Sequence, residues 1–450
     1  MVIIMATLNI ELRDIDNISP YVGNARLHSA KQIDQLKLSI ETYGFTNPIL
    51  VDHAGVIIAG HGRLIAAREL AMTAVPVIEL ASLTEAQVKA LRLADNKIAL
   101  NSGWDVDLLR LELGDLTSGA IEIDLRSTGF SGAEIDILLN PKADPDDDAI
   151  PSVRAEPRAR LGDIWELGDH RVGCGDARAE AFVRSVIGGW GQVDCAFLDP
   201  PFNVRIQGHA NVKTKHREFA MASGEMSSEE FRTFLATSLG TCVTHSRDGA
   251  VHFVFMDWRH LDDLRAASAD LYDEQLNLCV WNKSNPGMGS LYRSKHELIS
   301  VFRVGTASHI NAVELGRHGR NRTNVWDYPS VNSFEGAKRG DLKLHPTVKP
   351  TALVADAIQD VTRRDDLVLD IFLGSGTTLI ACERTGRRFR GLDIDPAYID
   401  IAIDRWVAMT GGTPHCQTAS KRDPRSASKR DPLAQGVGRS SGALFALLAA

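Results

Sequence analysis

The 450-residue chain predicts an α/β fold, a doubly wound parallel sheet preceded by a smaller α+β unit. Three observations carry that expectation. The apolar run Val193–Leu198 has strand length and stops abruptly at Asp199-Pro200-Pro201-Phe202. Residues 366–371 read as a second strand; the glycine-containing stretch Phe372 to Thr378 follows, and Leu379-Ile380-Ala381-Cys382 continues at helical spacing. Residues 389–393 then read as a third strand ending in the carboxylate of Asp393.

Composition sets the outer bounds. With 44% hydrophobic and 24% charged residues, the chain is neither disordered nor fibrous as a whole. Its net charge of −8 excludes a uniformly basic coat, so any nucleic-acid contact must come from a local patch. The six cysteines (174, 195, 242, 279, 382 and 416) form no Cys-x-x-Cys pair, which argues against a disulfide framework and a zinc centre; no metal site is expected. No apolar run approaches the roughly eighteen residues of a membrane span, and the start at Met1 lacks a signal-peptide pattern, so a cytoplasmic protein without membrane contact is expected.

Residues 140–160 are acidic and punctuated by prolines, without apolar periodicity, and read as a solvated linker. The expected division is a domain over 1–139, this linker, a second domain over 161–410, and a disordered tail over 411–450, where Ser-Lys-Arg-Asp-Pro occurs twice. In the first domain, Ile33, Leu36, Ile40 and Tyr43 recur at helical spacing, a short strand is expected over Ile49–Val51, and Val56-Ile57-Ile58 leads into Ala59-Gly60-His61-Gly62-Arg63 and a helix through Leu70. Strand, glycine turn and helix aim backbone N–H groups at one point, which suits an anion, and Arg63 could add a fork of donors; plain chain reversal explains the same pattern. The run from Leu8 to Trp104 resembles the ParB-like N-terminal domain through Gly-Phe-Thr-Asn-Pro-Ile at 44–49, the box ending in Gly60-His61-Gly62-Arg63, and Ala94-Asp95-Asn96-Lys97. Some such domains bind nucleotides or act as nucleases. His61 and Gly62 depart from the usual Glu-Arg, so the resemblance implies docking or DNA tethering first and leaves nucleotide binding open.

The chemistry is concentrated in the second domain. Consecutive prolines offer no N–H, so the turn after Val193–Leu198 presents carbonyl acceptors beside the Asp199 carboxylate. Such a pocket can hold both N–H groups of an exocyclic amine, with Phe202 placed to stack on its ring. The second strand, glycine loop and acid-terminated third strand suit an adenosine-like ligand. The loop matches neither the three-glycine dinucleotide fingerprint nor a phosphate loop, and S-adenosylmethionine, which lacks phosphates, fits better.

Together with His345-Pro-Thr-Val-Lys-Pro350, His296-Glu297 before a strand at 298–302, and Gly175-Asp176, these elements resemble the permuted amino-group DNA methyltransferases, in which the Asp-Pro-Pro-aromatic turn precedes the cofactor loop. The resemblance covers about 161–410 and implies a Rossmann-like class I methyltransferase sheet with circularly permuted motif order. It implies that Asp199, Pro200, Pro201 and Phe202 hold the target base. Asp370, Phe372, Gly374, Ser375, Gly376 and Thr377 would wrap S-adenosylmethionine, Asp393 take its ribose, Asp176 its adenine amine, and Lys349 lie near its methionine end. An aspartate at 393 replaces the commoner glutamate.

Double-stranded DNA is the expected partner, and homodimerisation is left open. Two stretches could contact phosphates: 203–217 holds Arg205, Lys213, Lys215 and Arg217 with no acid, and 283–349 carries eleven basic against five acidic residues. Trp281, Trp326 and Tyr328 read either as wedges or as core. The expected activity is methylation of adenine N6 in DNA. Alternatives are cytosine N4, a DNA-binding partition-like module with a vestigial methyltransferase half, and methylation of RNA or of protein glutamine, which usually carries Asn first.

Overall fold

The computed structural model describes residues 8–118, 123–139, 145–154, 156–189, 191–204, 222–286, 291–313, 315, 322–330 and 348–417. Its first unit contains β1 (Ile10–Asp14), α1 (Ala30–Tyr43), β2 (Ile49–Val51), β3 (Ile57–Ala59), α2 (His61–Glu69), β4 (Ala74–Glu79) and α3 (Glu85–Ala99). Four strands in the order β1-β4-β2-β3 form a mixed sheet whose apolar face, with Ile49, Val51, Ile57, Val75 and Val77, packs on Leu64 and Ala67 of α2. The expected strand, glycine turn and helix are present, Gly60 taking φ +108° immediately before α2. Arg63 does not reach outward as a donor fork: it folds back near Gly60 and donates to the Pro48 carbonyl at 3.4 Å.

Next come α4 (Val106–Ser118) and α5 (Gly132–Leu139), whose Leu113 and Ile135 meet Leu125 in a small separate core. Segment 145–160, where a solvated linker is expected, is instead partly docked. Asp148 accepts from the Thr351 N–H at 2.8 Å, and Arg158 N–H donates to Asp400 at 2.7 Å. Acidity without apolar periodicity suggests solvent, yet these carboxylates meet N–H donors and cations supplied far along the chain. Residues 140–144 lie outside the described residues.

The second unit comprises β5 (Ile164–Leu167), β6 (His170–Cys174), α6 (Glu180–Ile187), β7 (Val193–Leu198), α7 (Ser228–His245), β8 (Ser246–Met256), α8 (Leu261–Ser268), β9 (Glu274–Asn282), β10 (His296–Arg303), β11 (Val325–Asp327), α9 (Thr351–Val361), β12 (Leu367–Asp370), α10 (Thr377–Thr385), β13 (Arg388–Asp393), α11 (Pro396–Thr410) and β14 (His415–Cys416). Among the described residues its sheet runs β11-β9-β10-β8-β7-β12-β13-β6-β5-β14. The centre, β8 to β6, is parallel, and β7 and β12 are covered on both faces, as their continuous apolar sequences require.

After β7 the chain returns to β8 on one side, whereas after β12 it returns to β13 on the other. The crevice at the carboxyl ends of β7 and β12 is therefore the point where the winding reverses, the preferred ligand position in an open α/β sheet. Trp281 and Trp326 are buried in the core, and Tyr328 packs against it. Residues 411–417, expected as the start of a disordered tail, instead carry β14 onto the edge strand β5; the rest of the tail lies outside the described residues.

Candidate active site

Backbone chemistry builds the crevice first. After β7, Asp199-Pro200-Pro201-Phe202 turns the chain, and Asn203 then adopts φ +53°. The Asn203 side chain fixes that turn: its Oδ1 accepts from Gly224 and Met226 N–H at 3.0 and 3.2 Å, and its Nδ2 donates to the Met226 carbonyl at 2.8 Å. After β12, Asp370 organises the loop, accepting Phe372 N–H at Oδ1 (2.9 Å) and the Thr378 hydroxyl at Oδ2 (2.7 Å). Gly374 and Gly376 take φ +51° and +83°, and the N–H of Gly374 reaches Asp393 Oδ2 at 2.9 Å. Gly376 has a second constraint, since a Cβ there would lie 2.7 Å from the Ala402 Cβ of α11.

These elements line one cavity. Asp199, Pro200, Pro201, Phe202, Lys349, Asp370, Phe372, Gly374, Ser375, Thr377 and Asp393 all border it, with Phe197, Phe234, Ile371, Leu373, Ile394 and Tyr398 adding apolar wall. Asp176 does not border it. Its carboxylate is held by Arg178 at 2.7 and 3.0 Å, which depresses its pKa, while Gly175 and Ala177 beside it reach the cavity. Gly376 is packed behind the loop.

The electrostatic centre is a chain of ions, with Lys349 buried and Asp199, Glu297 and Lys283 half-buried. Lys349 Nζ donates to Asp199 Oδ2 at 2.5 Å and lies 3.1 Å from Glu297 Oε2, while Glu297 Oε1 is bound by Lys283. The Lys349 ammonium also sits 4.8 Å from the ring centroid of Phe255, where the π face attracts a cation. Asp199 Oδ1 is buried with no hydrogen-bond partner. Burial pushes the Asp199 carboxyl above the usual range, against the opposing pull of Lys349. Burial likewise raises Asp370 to about 7 and Asp393 to about 6, the latter despite N–H groups of Gly374 and Asp395 on its oxygens.

Three contributors escaped sequence reasoning. Glu297 stood out only as a motif neighbour, and nothing in its spacing marks it as the second carboxylate on Lys349. Lys283 was one cation in a basic stretch. Arg405 of α11, buried, donates to the Ser375 carbonyl at 2.8 Å and to the Thr377 hydroxyl at 3.3 Å, bracing the loop from behind.

The two basic stretches expected to contact phosphates are described only in part. Residues 205–217 lie outside the described residues. Within 283–349, among the described residues, Lys283 and Lys349 pair with Glu297 and Asp199, Arg322 pairs with Asp356 and Asp360, and Arg303 pairs with the exposed Glu274, whereas Arg293 and Lys295 are exposed. In the first unit, Arg26, Lys89, Arg92 and Lys97 line a separate cavity with Tyr21 and Asn96. His61 closes the helix start nearby by accepting from Tyr21 N–H at 3.2 Å.

Comparison with known proteins matches three successive stretches of the chain, the middle of which runs across residues 140–160. Residues 193–404 match a family described as DNA methylase, residues 107–161 the ParB-methyltransferase HTH domain, and residues 6–97 the ParB N-terminal domain. The ParB-like nuclease domain-containing protein YnaK of Escherichia coli (strain K12) is 52% identical over 80 residues, 18% of this chain and 92% of that protein. Type II methyltransferase M.ScaI of Streptomyces caespitosus is 40% identical over 92 residues, 20% of this chain but only 30% of that enzyme. Among solved structures, the M1.HpyAVI–SAM complex is 19% identical over 52% of this chain and 98% of that one, with a TM-score of 0.37. The cytosine-N4-specific PvuII DNA methyltransferase is 14% identical over 57% and 90%, with a TM-score of 0.41. No helix among the described residues is long and apolar enough to cross a membrane.

Proposed function

The chain belongs to the N6/N4 DNA methylase family and carries ParB-type domains ahead of its catalytic half, and from that membership we propose that it transfers a methyl group from S-adenosylmethionine to N6 of adenine in double-stranded DNA. One observation supports this most: Asp199 has one oxygen held by Lys349 and the other buried, unpartnered and beside the cavity. An unpaired buried acceptor is costly, and a ligand amine relieves that cost.

The donor set suits an adenosyl ligand. Asp393 accepts backbone N–H groups of Gly374, Ile394 and Asp395 and keeps remaining acceptor capacity for ribose hydroxyls. Gly374 brings bare backbone to the cavity, with nothing closer to its Cβ position than 3.9 Å. S-adenosylmethionine, when bound, supplies an electrophilic sulfonium methyl group. Asp199 Oδ1 accepts one N–H of the target amine, the proline carbonyls accept the other, and Phe202 stacks on the extruded base. As positive charge grows on the nitrogen, the Asp199 carboxylate stabilises it and receives the departing proton at Oδ1; its raised pKa makes it a better acceptor than an exposed aspartate.

Adenine is favoured over cytosine by the resemblance of Asp199-Pro200-Pro201-Phe202 to adenine enzymes, cytosine N4 enzymes more often having Ser first. Cytosine N4 methylation is the runner-up reading, because the same carboxylate can hold either amine. Mass spectrometry of nucleosides from treated DNA decides between them: N6-methyladenine is expected, and N4-methylcytosine alone would overturn the choice of base. The cation-lined cavity of the first unit supports a subsidiary reading, capture of an anionic ligand such as a nucleotide.

A further inference from the structure

The helix that follows Lys349 lacks its own cap. Pro350 occupies the N-cap position of α9 and offers no side-chain hydrogen bond to the first turn. The acceptor comes instead from outside the matched DNA methylase residues, which begin at 193. Asp148 Oδ1 takes the Thr351 N–H at 2.8 Å and the Thr351 hydroxyl at 2.7 Å. A carboxylate at that point satisfies an orphan N–H and lies at the positive end of the helix dipole. Two residues upstream of that clamp, the Lys349 ammonium rests on Asp199.

The same short segment touches the other half of the site. The carbonyl of Asp147 accepts from Arg405 Nη2 at 2.6 Å, and the Asp147 carboxylate pairs with Arg384. Arg405 then holds Ser375 and Thr377 of the cofactor loop through its other nitrogen. Farther upstream α5 is fastened to the same body, Asp136 forming a bidentate pair with Arg387 at 2.9 and 2.6 Å. Both members of that pair are buried.

We infer that Asp148 is a positioning residue for methyl transfer, acting through the start of α9 to set Lys349 against Asp199, so that the segment ahead of the catalytic sheet is a working part of the site. The inference rests on the reading of Asp199 and Lys349 as the reaction centre. Asp148 itself touches no reacting atom, and its effect falls on turnover before cofactor affinity. Its neighbour's carbonyl, not its own side chain, holds Arg405, so the cofactor loop keeps that brace when the Asp148 side chain is changed.

The test uses the full chain, methyl-tritiated S-adenosylmethionine and genomic DNA from a host lacking the protein. Asp148→Ala and Asp148→Asn are compared with the wild type, and each kcat is normalised to the fraction of chains that binds cofactor by calorimetry, so unfolded protein does not count. Asp148→Ala is expected to lower the normalised kcat by about tenfold or more, since small misplacements of reacting groups carry penalties of that size. Its Kd for S-adenosylmethionine should stay within about twofold of wild type, as expected for a residue that does not contact the ligand. Asp148→Asn, whose amide oxygen can still accept from Thr351, should recover most of the loss. If Asp148→Ala retains no cofactor-binding fraction, Thr351→Val, which removes only the hydroxyl bond, serves with the same direction expected. Unchanged normalised kcat, or an Asn variant as slow as the Ala variant, overturns the inference. Absence of methyl transfer by the wild-type chain would instead refute the proposed function.

Discussion

The ammonium of Lys349 is bonded to one oxygen of Asp199 and leaves the other, Oδ1, buried without a partner. The cation keeps the carboxylate from being neutralised by burial, and the orphaned oxygen keeps a hydrogen-bond position available for a ligand. Glu297 and Lys283 extend the charge pattern so that two acids and two bases alternate. Removing a partner of the buried Lys349 leaves its ammonium less compensated. The following expectations start from that arrangement.

Asp199→Ala should lower methyl transfer by at least about a hundredfold, the usual scale for loss of a charge-stabilising group at a reacting centre. Binding of S-adenosylmethionine should persist, since the proposed reading assigns its contacts to the loop after β12. Tritium incorporation into DNA and calorimetric binding measure the two effects separately, and near-wild-type turnover would sink the proposed mechanism.

Cofactor affinity should weaken on acidification through about pH 6. Burial raises Asp393 to about 6, so below that value the carboxyl is protonated and gives up the acceptor capacity that the proposed reading assigns to ribose hydroxyls. The loss should approach about one decade of Kd per pH unit if that group alone titrates. Asp393→Asn should bind weakly and show a flatter profile between pH 5 and 7, about the span of that titration.

The stability consequence of Asp370 has the opposite sense. Its carboxyl is raised to about 7 in the folded chain, so the native state holds more protons than the unfolded state between about 4 and 7. Its contribution is therefore most favourable at low pH and is lost as pH rises through that window. Asp370→Asn, which can still accept from Phe372 and donate to Thr378, should be more stable than wild type at pH 8 by on the order of 1 kcal/mol, with the gain shrinking towards pH 5. Urea unfolding at the two pH values measures it; a gain that grows on acidification contradicts the sign.

Gly376→Ala should destabilise the chain by about 2 kcal/mol or more, because strained positive φ and a Cβ 2.7 Å from Ala402 act together. Gly374→Ala has the φ penalty without the clash, so its cost should be about 1 kcal/mol. Its larger effect should be on cofactor affinity, since its added methyl group enters the cavity. Equal unfolding penalties for the two variants would contradict this division.

Arg387→Ala should cost about 3–5 kcal/mol by stranding Asp136 in a buried site. A fragment starting at residue 161 has the mirror-image defect, leaving Arg387, Arg405 and Thr351 without Asp136, Asp147 and Asp148. That fragment is expected to unfold at a lower temperature than one starting at residue 123. Equal Tm values would show that these contacts add no stability.

Much of the site was legible in sequence because its parts are local. Val193–Leu198 followed by Asp199-Pro200-Pro201-Phe202 is contiguous, as is the strand, glycine loop and helix from residue 366, and strand length, proline φ and glycine turns are properties of neighbouring residues. Tertiary structure alone decided which cation meets Asp199, that Glu297 and Lys283 complete the ion chain, that Arg405 braces the loop after β12, and that Asp148 caps α9. Those pairings join residues up to 203 positions apart, as between Asp148 and Thr351, and leave no period in the sequence. The same distance explains why residues 145–148 read as solvated: charge and proline content report local preference for water, whereas burial depends on a donor that only folding brings within reach.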